Sequence, residues 1–235
     1  MSQVNQARPL AFSDDFVKAK IVENVENFAA TGIVVNLSNK PMVVDGDVPG
    51  VIPQWKSTIL QEGMIANAER VAIFHVTTTT NLGGLVFGAW DWFGNRFDKF
   101  PRTTPLYISR YDIVGEVELN PYKFANTRSD IDFTDTYNIR LNLWWAPAKT
   151  DAFLHNEHSF LEIHTQIFGL GRIQIFRERD EATLYREITT APGDTHDPIV
   201  RVTGNREYSY PWHRGWTDTD AIWMAIELHS KVQTD

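Results

Sequence analysis

Short apolar runs separated by turn residues dominate the chain after about residue 65. Arg70–Thr79, Gly84–Trp92, Leu106–Glu118, Tyr137–Trp145, Ser159–Phe168, Gly171–Arg177, Thr183–Thr190 and Ala221–His229 are rich in β-branched and aromatic residues. Gly, Pro, Asn and Asp fall between them, and this pattern predicts strands. Gly169-Leu170-Gly171 and Arg179-Asp180-Glu181 read as hairpin turns. Many short strands predict an all-β sandwich, jelly roll or barrel. The start of the chain reads differently. Val17, Ile21, Val25 and Phe28 form one stripe at helical spacing, with Ser13 to cap it, Asp14 and Asp15 at its positive end and Gly32 to stop it. That predicts an N-terminal extension, residues 1–65, with one helix over 13–31 packed on a β domain spanning 66–235.

Alternation in Ser159–Phe168 separates two faces. His158, Phe160, Glu162, His164 and Gln166 point one way, while Leu161, Ile163 and Ile167 point the other with Ser159 and Thr165. On a one-sided sheet the first set meets water; in a sandwich or barrel it lines a polar cavity. The same logic sends Trp144 and Trp145 to opposite faces, so at most one of them lines a lumen.

Histidine is distributed unevenly. Six of the seven histidines follow residue 154, and His155, His158 and His164 share one short run. Imidazole is the commonest metal ligand and titrates near neutral pH. There is no cysteine, so disulfides, thiolate metal sites and cysteine nucleophiles are excluded. Any metal is held by His, Asp or Glu. The net charge of −8 provides no basic stripe for phosphates, which argues against nucleic acid. No apolar run approaches the roughly 20 residues that span a bilayer. Met1–Gln6 lacks the apolar core of a signal peptide, so the expected location is cytoplasmic. There is no P-loop, no dinucleotide fingerprint and no nucleophile elbow.

The run from His158 through Glu162 to Gly169 resembles the first motif of the cupin superfamily, in its histidine, its glutamate after three residues and its glycine after six more. Pro192-Gly193-Asp194-Thr195-His196 is similar to the second motif, where a Pro/Gly turn precedes the last histidine ligand. The pattern's first histidine falls at 156, which is Asn156 here with His155 beside it, and Val200 stands where the pattern has asparagine. The resemblance implies a mainly β, cupin-like jelly-roll barrel. It implies one divalent metal ion on His158, Glu162 and His196, with His155 as fourth ligand. Iron(II) is the preferred ion, with manganese, nickel, copper or zinc as alternatives.

Around that site, His164 and His213 are candidates for moving a proton or touching substrate. Trp144, Gln166 and Trp212 are candidate substrate-contacting residues. Arg140, Arg201 and Arg214 are candidate anchors for a carboxylate or phosphate. Either Asp194 or Asp197 can orient His196. The preferred function is a metal-dependent oxygenase or oxidoreductase acting on a small organic substrate. A non-redox isomerase, lyase or cyclase and a non-catalytic ligand-binding barrel are the alternatives. The expected partners are a small-molecule substrate and a second copy of the chain, with no nucleic acid and no membrane.

Overall fold

The computed structural model describes residues 3–77, 90–128 and 130–231. Its elements in chain order are β1 (Gln6–Pro9), β2 (Val17–Asn36), β3 (Met42–Asp45), β4 (Gly50–Ile52), β5 (Ser57–Val76), β6 (Asp91–Trp92), β7 (Tyr107–Ile108), β8 (Asp112–Leu119), α1 (Pro121–Phe124), β9 (Asp135–Ala146), β10 (Leu161–Phe168), β11 (Gly171–Phe176), β12 (Leu184–Thr190), β13 (Arg201–Gly204), β14 (Glu207–Ser209), β15 (Trp212–Thr217) and β16 (Ala221–Ser230). The mainly β expectation holds. No helix among the described residues is long and apolar enough to cross a membrane.

An N-terminal sheet runs β1-β2-β5-β3-β4. A six-stranded sheet runs β10-β16-β9-β7-β6, with β8 also on β9. A three-stranded sheet runs β12-β11-β15, and β13 pairs with β14. The strand pairs are antiparallel.

The six-stranded sheet has two unlike faces. One carries Ile139, Leu141, Leu143, Leu161, Ile163 and Ile226, all buried, and packs on Val17, Ala19, Ile21, Val35 and Phe74 of β2 and β5 in the main core. Each such buried side chain contributes about 1.5–3 kcal/mol. The other face turns, with β11 and β15, onto a cavity of about 520 Å³. The layers are therefore N-terminal sheet, six-stranded sheet, cavity and three-stranded sheet.

The expected helix over 13–31 is instead strand β2. A spacing of four residues fits both periods, because Val17 and Ile21 share one face of a strand as readily as one side of a helix. The β-branched content of Val17, Ile21, Val22, Val25, Ile33, Val34 and Val35 decides for the strand. β5 runs unbroken through residue 65, where the sequence suggests a boundary. The expected strand over Gly84–Trp92 falls mostly on residues outside the described ones; its last two residues form β6. Gly169-Leu170-Gly171 is not a hairpin turn, since β10 pairs with β16 while β11 pairs with β12 and β15. Instead it carries the chain from one sheet to the other, with Gly169 at φ +69°. Arg179-Asp180-Glu181 does lie in the turn of the β11–β12 hairpin, where the Asp180 carboxylate accepts the Ala182 N–H at 2.9 Å.

β2 and β5 roll around each other. Ile33 pairs with both Phe74 and Ile59, and Val34 with both Ile73 and Thr58. The roll closes on its own small core of Val22, Val25, Val34, Met42, Ile65 and Val71. Asn24, Asn27 and Gly32 adopt positive φ at its bends. Gly32 is at φ +114°, and a Cβ there would lie 2.2 Å from the Phe74 carbonyl oxygen. Gly32→Ala is therefore expected to lower stability by about 3 kcal/mol. Gly46→Ala, whose Cβ would find its nearest neighbour at 3.8 Å, stays within about 0.5 kcal/mol. Urea unfolding of the two variants checks the difference; equal midpoints would contradict the rolled hairpin.

Candidate metal centre

The antiparallel registers lay out the cavity floor row by row. Glu162, Glu227 and Arg140 face one another across β10, β16 and β9. His164, Ala225 and Asn142 form the next row, and Gln166, Trp223 and Trp144 the third. The expected alternation holds: Glu162 and His164 line the cavity, and Leu161, Ile163 and Ile167 lie in the core behind them. Trp144 lines the cavity and Trp145 packs in the core, as their adjacency requires.

His158 precedes β10 and His213 lies on β15. His155 reaches the site by an antiparallel bridge to His213, with its N–H donating to the His213 carbonyl at 3.0 Å and the return bond at 2.9 Å. One ring nitrogen from each of His155, His158 and His213 lies within 4.8 Å of the others. Tyr210 pins the start of β10 beside them. Its hydroxyl accepts the Glu162 N–H at 2.9 Å and donates to the Phe160 carbonyl at 2.9 Å. Burial raises its pKa well above the usual tyrosine value, so the hydroxyl keeps its proton and its donor role.

The Nδ1 partners of His155 and His213 fix the tautomers of these two imidazoles. His155 Nδ1 lies 2.9 Å from the Phe153 carbonyl and His213 Nδ1 lies 2.8 Å from the Pro211 carbonyl. A carbonyl only accepts, so each Nδ1 carries the proton and each Nε2 a lone pair. His158 Nδ1 lies 3.5 Å from the Glu162 carboxylate. His158 Nε2 lies 3.2 Å from the His213 Nε2 lone pair, a spacing that a hydrogen bond from His158 or a shared cation both satisfy. Two nitrogens about 2.0–2.1 Å from one tetrahedral ion lie about 3.3 Å apart, so the donor set fits a metal. The electrostatics agree. His213 is pushed down to about 3, first by burial and then by the His155 imidazole. His155 is lowered by burial and by His158. Both rings are neutral ligands at neutral pH.

Glu162 stands between two histidine groups. Its Oε2 faces His158 Nδ1, and its Oε1 lies 3.4 Å from His164 Nε2. Burial by itself pushes this carboxyl up; the imidazoles of His164 and His158 more than reverse that and hold it below the usual carboxylate range. Behind it, His164 Nδ1 lies 3.2 Å from His196 Nε2. His196 Nε2 also accepts the His164 backbone N–H at 3.0 Å, and its Nδ1 donates to the Asp197 carbonyl at 2.7 Å. Burial, then His164, pushes His196 down to about 3.

The structure thus gathers His155 and His158 with His213, which the motif resemblance did not include. It sets Glu162 behind His158 and engages His196, the implied ligand, with β10 backbone. His164 lines the cavity next to Glu162. Asp197 orients His196 through its carbonyl, while the Asp194 carboxylate accepts the Ala191 N–H of the preceding turn. Arg140 lines the cavity but is held by Glu227, at 2.6 Å from Nε. Asn142 and His229 bond the same carboxylate. Arg214 lies outside the cavity; it donates to Gln174 at 2.8 Å and pairs with Asp151 and Glu181. Arg201 is exposed on β13. Trp212 lines the cavity. Gln166 lies beside His164 and His196 in an adjoining small pocket, and its side chain bonds Thr190 and the Phe168 carbonyl. The role of His213 and the clamp of Tyr210 were signalled in sequence only by the dense run Tyr210-Pro211-Trp212-His213.

No known family profile matches the sequence, and no curated protein matches it. Solved structures similar to the chain include cupin proteins. One is a cupin 2 conserved barrel domain protein from Leptotrichia buccalis, at 8 % identity over 97 % of this chain and 91 % of that one, TM-score 0.32. A mutant of Bacillus subtilis oxalate decarboxylase matches at 9 % identity over 99 % of this chain and 79 % of its own, TM-score 0.29. A recombinant oxalate oxidase in complex with glycolate matches at 16 % identity over 41 % of this chain, TM-score 0.30, and the match covers 44 % of the oxidase. At these scores the likenesses carry no argument. The fold stands on the strand pairing, and the site on its own distances.

Proposed function

We propose that this chain is a metal-dependent enzyme that transforms a small organic substrate in the cavity between its sheets. One observation carries the reading: three imidazoles bring ring nitrogens within 4.8 Å of one another at the wall of a cavity. His155, His158 and His213 would hold a divalent ion, with iron(II) preferred for an oxygenase or oxidoreductase. Bound there, the ion supplies Lewis-acid and redox power, and three protein ligands leave positions open to other molecules.

The chain's own residues supply the rest. Glu162 orients His158 and, as an anion, raises its basicity, the usual arrangement behind a ligating histidine. The Phe153 and Pro211 carbonyls do the same for His155 and His213. His196 holds the backbone N–H of His164 in place, and His164 presents its Nε2 to Glu162 at the cavity wall. In a non-redox isomerase or lyase His164 would move the substrate proton, and oxygen uptake separates that branch from the oxidative one.

Elemental analysis of the purified protein is expected to find about one divalent ion per chain. His158→Ala/His213→Ala loses it while keeping its far-ultraviolet spectrum, and His196→Ala retains it. Loss in His196→Ala with retention in His213→Ala would return the site to the motif residues, and no uptake by the wild type would sink the metalloenzyme reading. Glu162→Gln is expected to weaken metal binding by about tenfold or more, read by competition with a chelator.

The metal-free protein has its own pH signature. His196 and His213 ionise near 3 when folded and near 6.5 when unfolded. The unfolded state therefore binds more protons between those values. Their contribution to stability is full above about pH 6.5 and is lost as pH falls toward about 3. Urea midpoints of the metal-free protein should decline from pH 7 to pH 4.5, and His196→Gln should flatten the decline. A wild-type midpoint that rises on acidification would contradict the buried neutral imidazoles.

A further inference from the structure

Away from the floor's charged row the cavity lining is aromatic. Phe93, Phe97, Trp144, Phe153 and Trp223 line it. Four of them belong to a third apolar cluster, separate from the main core, in which they are only partly buried. They touch in series. Phe93 meets Trp144 at 4.6 Å between ring centroids, Phe97 meets Phe153 at 6.2 Å, and Phe153 lies parallel to His155 at 6.0 Å and 10°. The aromatic wall therefore runs up to the imidazole group itself. Aromatic side chains lining a cavity suit a flat apolar body.

The charges on the wall have a sign. Four cationic side chains, Arg96, Lys99, Arg140 and Arg179, line the cavity with three carboxylates, Glu157, Glu162 and Glu227. Arg140 is engaged by Glu227, Arg96 by Asp91 at 3.2 Å, and Glu162 by its two histidines. Lys99 and Arg179 have no ion-pair partner among the described residues, and the Arg179 guanidinium sits 5.6 Å over the Trp212 ring. Glu157, also on the lining, has no ion-pair partner among the described residues either, and all three side chains are exposed. In a chain of net charge −8, two unpaired cations at the cavity lining favour an anion there.

We infer that the substrate is a planar aromatic molecule carrying an anionic oxygen group. Its ring lies against Phe153, Phe93 and Trp144, and its anionic group is drawn to Lys99 and Arg179. This deepens the proposed function and rests on it for the reaction, while the binding itself needs no metal.

The test uses the full chain, both stripped of metal and loaded. Three probes are titrated against tryptophan fluorescence, with calorimetry as a second readout: 2-naphthoate, the neutral 2-naphthalenemethanol, and the saturated decahydro-2-naphthoate. The metal-free protein is expected to bind 2-naphthoate saturably and about tenfold tighter than either control. Lys99→Ala/Arg179→Ala should weaken 2-naphthoate by about tenfold and leave the neutral probe unchanged. Phe153→Leu should weaken both aromatic probes. Equal binding of the neutral probe would overturn the anionic group, equal binding of the saturated acid would overturn the aromatic one, and no saturable binding would overturn both. Metal uptake is measured on the same samples. Naphthoate binding without metal uptake leaves this inference standing and fails the metalloenzyme reading; uptake without naphthoate binding does the reverse.

Discussion

The register of β9, β16 and β10 is the constraint on which the rest depends. With a side-chain period of two, one face of this sheet is apolar and the other carries two buried carboxylates, an arginine and a histidine. A slip of one residue would turn Glu162 and Glu227 into the core and Ile163 and Ile226 into the cavity. Burying unpaired carboxylates in the core costs several kcal/mol each, so the hydrophobic face fixes the register and the register fixes the site. The N-terminal sheet has a direct part in this. By covering the outer face with β2 and β5, it supplies the apolar layer that makes the alternation decisive. It also reaches the site: Lys56 donates to the Thr195 carbonyl at 3.0 Å and pairs with Asp197 at 2.5 Å, and Ser57 lies 2.6 Å from the Thr195 hydroxyl. Those bonds hold the segment that carries His196.

Buried charge sets the second level of organisation. Glu162 remains an anion in a desolvated position only because imidazoles flank both of its oxygens. Glu227, its neighbour across the register, is held by Arg140, Asn142 and His229. The two carboxylates are thus separately compensated, and neither needs the other's partners. This explains why Arg140, an attractive anion anchor in sequence, is unavailable: removing it from Glu227 would leave a buried carboxylate short of its strongest donor.

β9, β10, β11, β12 and β16 were legible in sequence, because each shows clear alternation or a β-branched run bounded by turn residues, while the short strands β13, β14 and β15 were not read as strands. The inward set of β10 was legible for the same reason. β2 was misread because a four-residue repeat satisfies two periods, and nothing local shows that β5 will lie beside it. Gly169 was recognisable as a turn, but whether a turn joins neighbours in one sheet or crosses to another depends on partners far away in the chain. The site was half legible. His155 and His158 stood out by clustering, and Glu162 by its face. His213 lies 55 residues beyond His158 and enters through two bridges between β15 and the loop before β10, Asp151 to Trp216 and His155 to His213. His196 matched a motif, but the hydrogen bond its Nε2 accepts from the His164 backbone was not legible from spacing.

The nitrogen group links the proposed centre to the cavity around it. Three imidazole ligands would leave the charge of a bound cation uncompensated by its own ligands, since the nearest carboxylate, Glu162, sits on the Nδ1 side of His158. A centre with a carboxylate ligand would cancel part of that charge at the ion. With an ion held there, the positive potential would extend into the aromatic-lined cavity, where it is screened less than in water. Lys99 and Arg179 would add to it. The same separation that keeps Glu162 out of the nitrogen group would thus set the sign of the field around a bound ion.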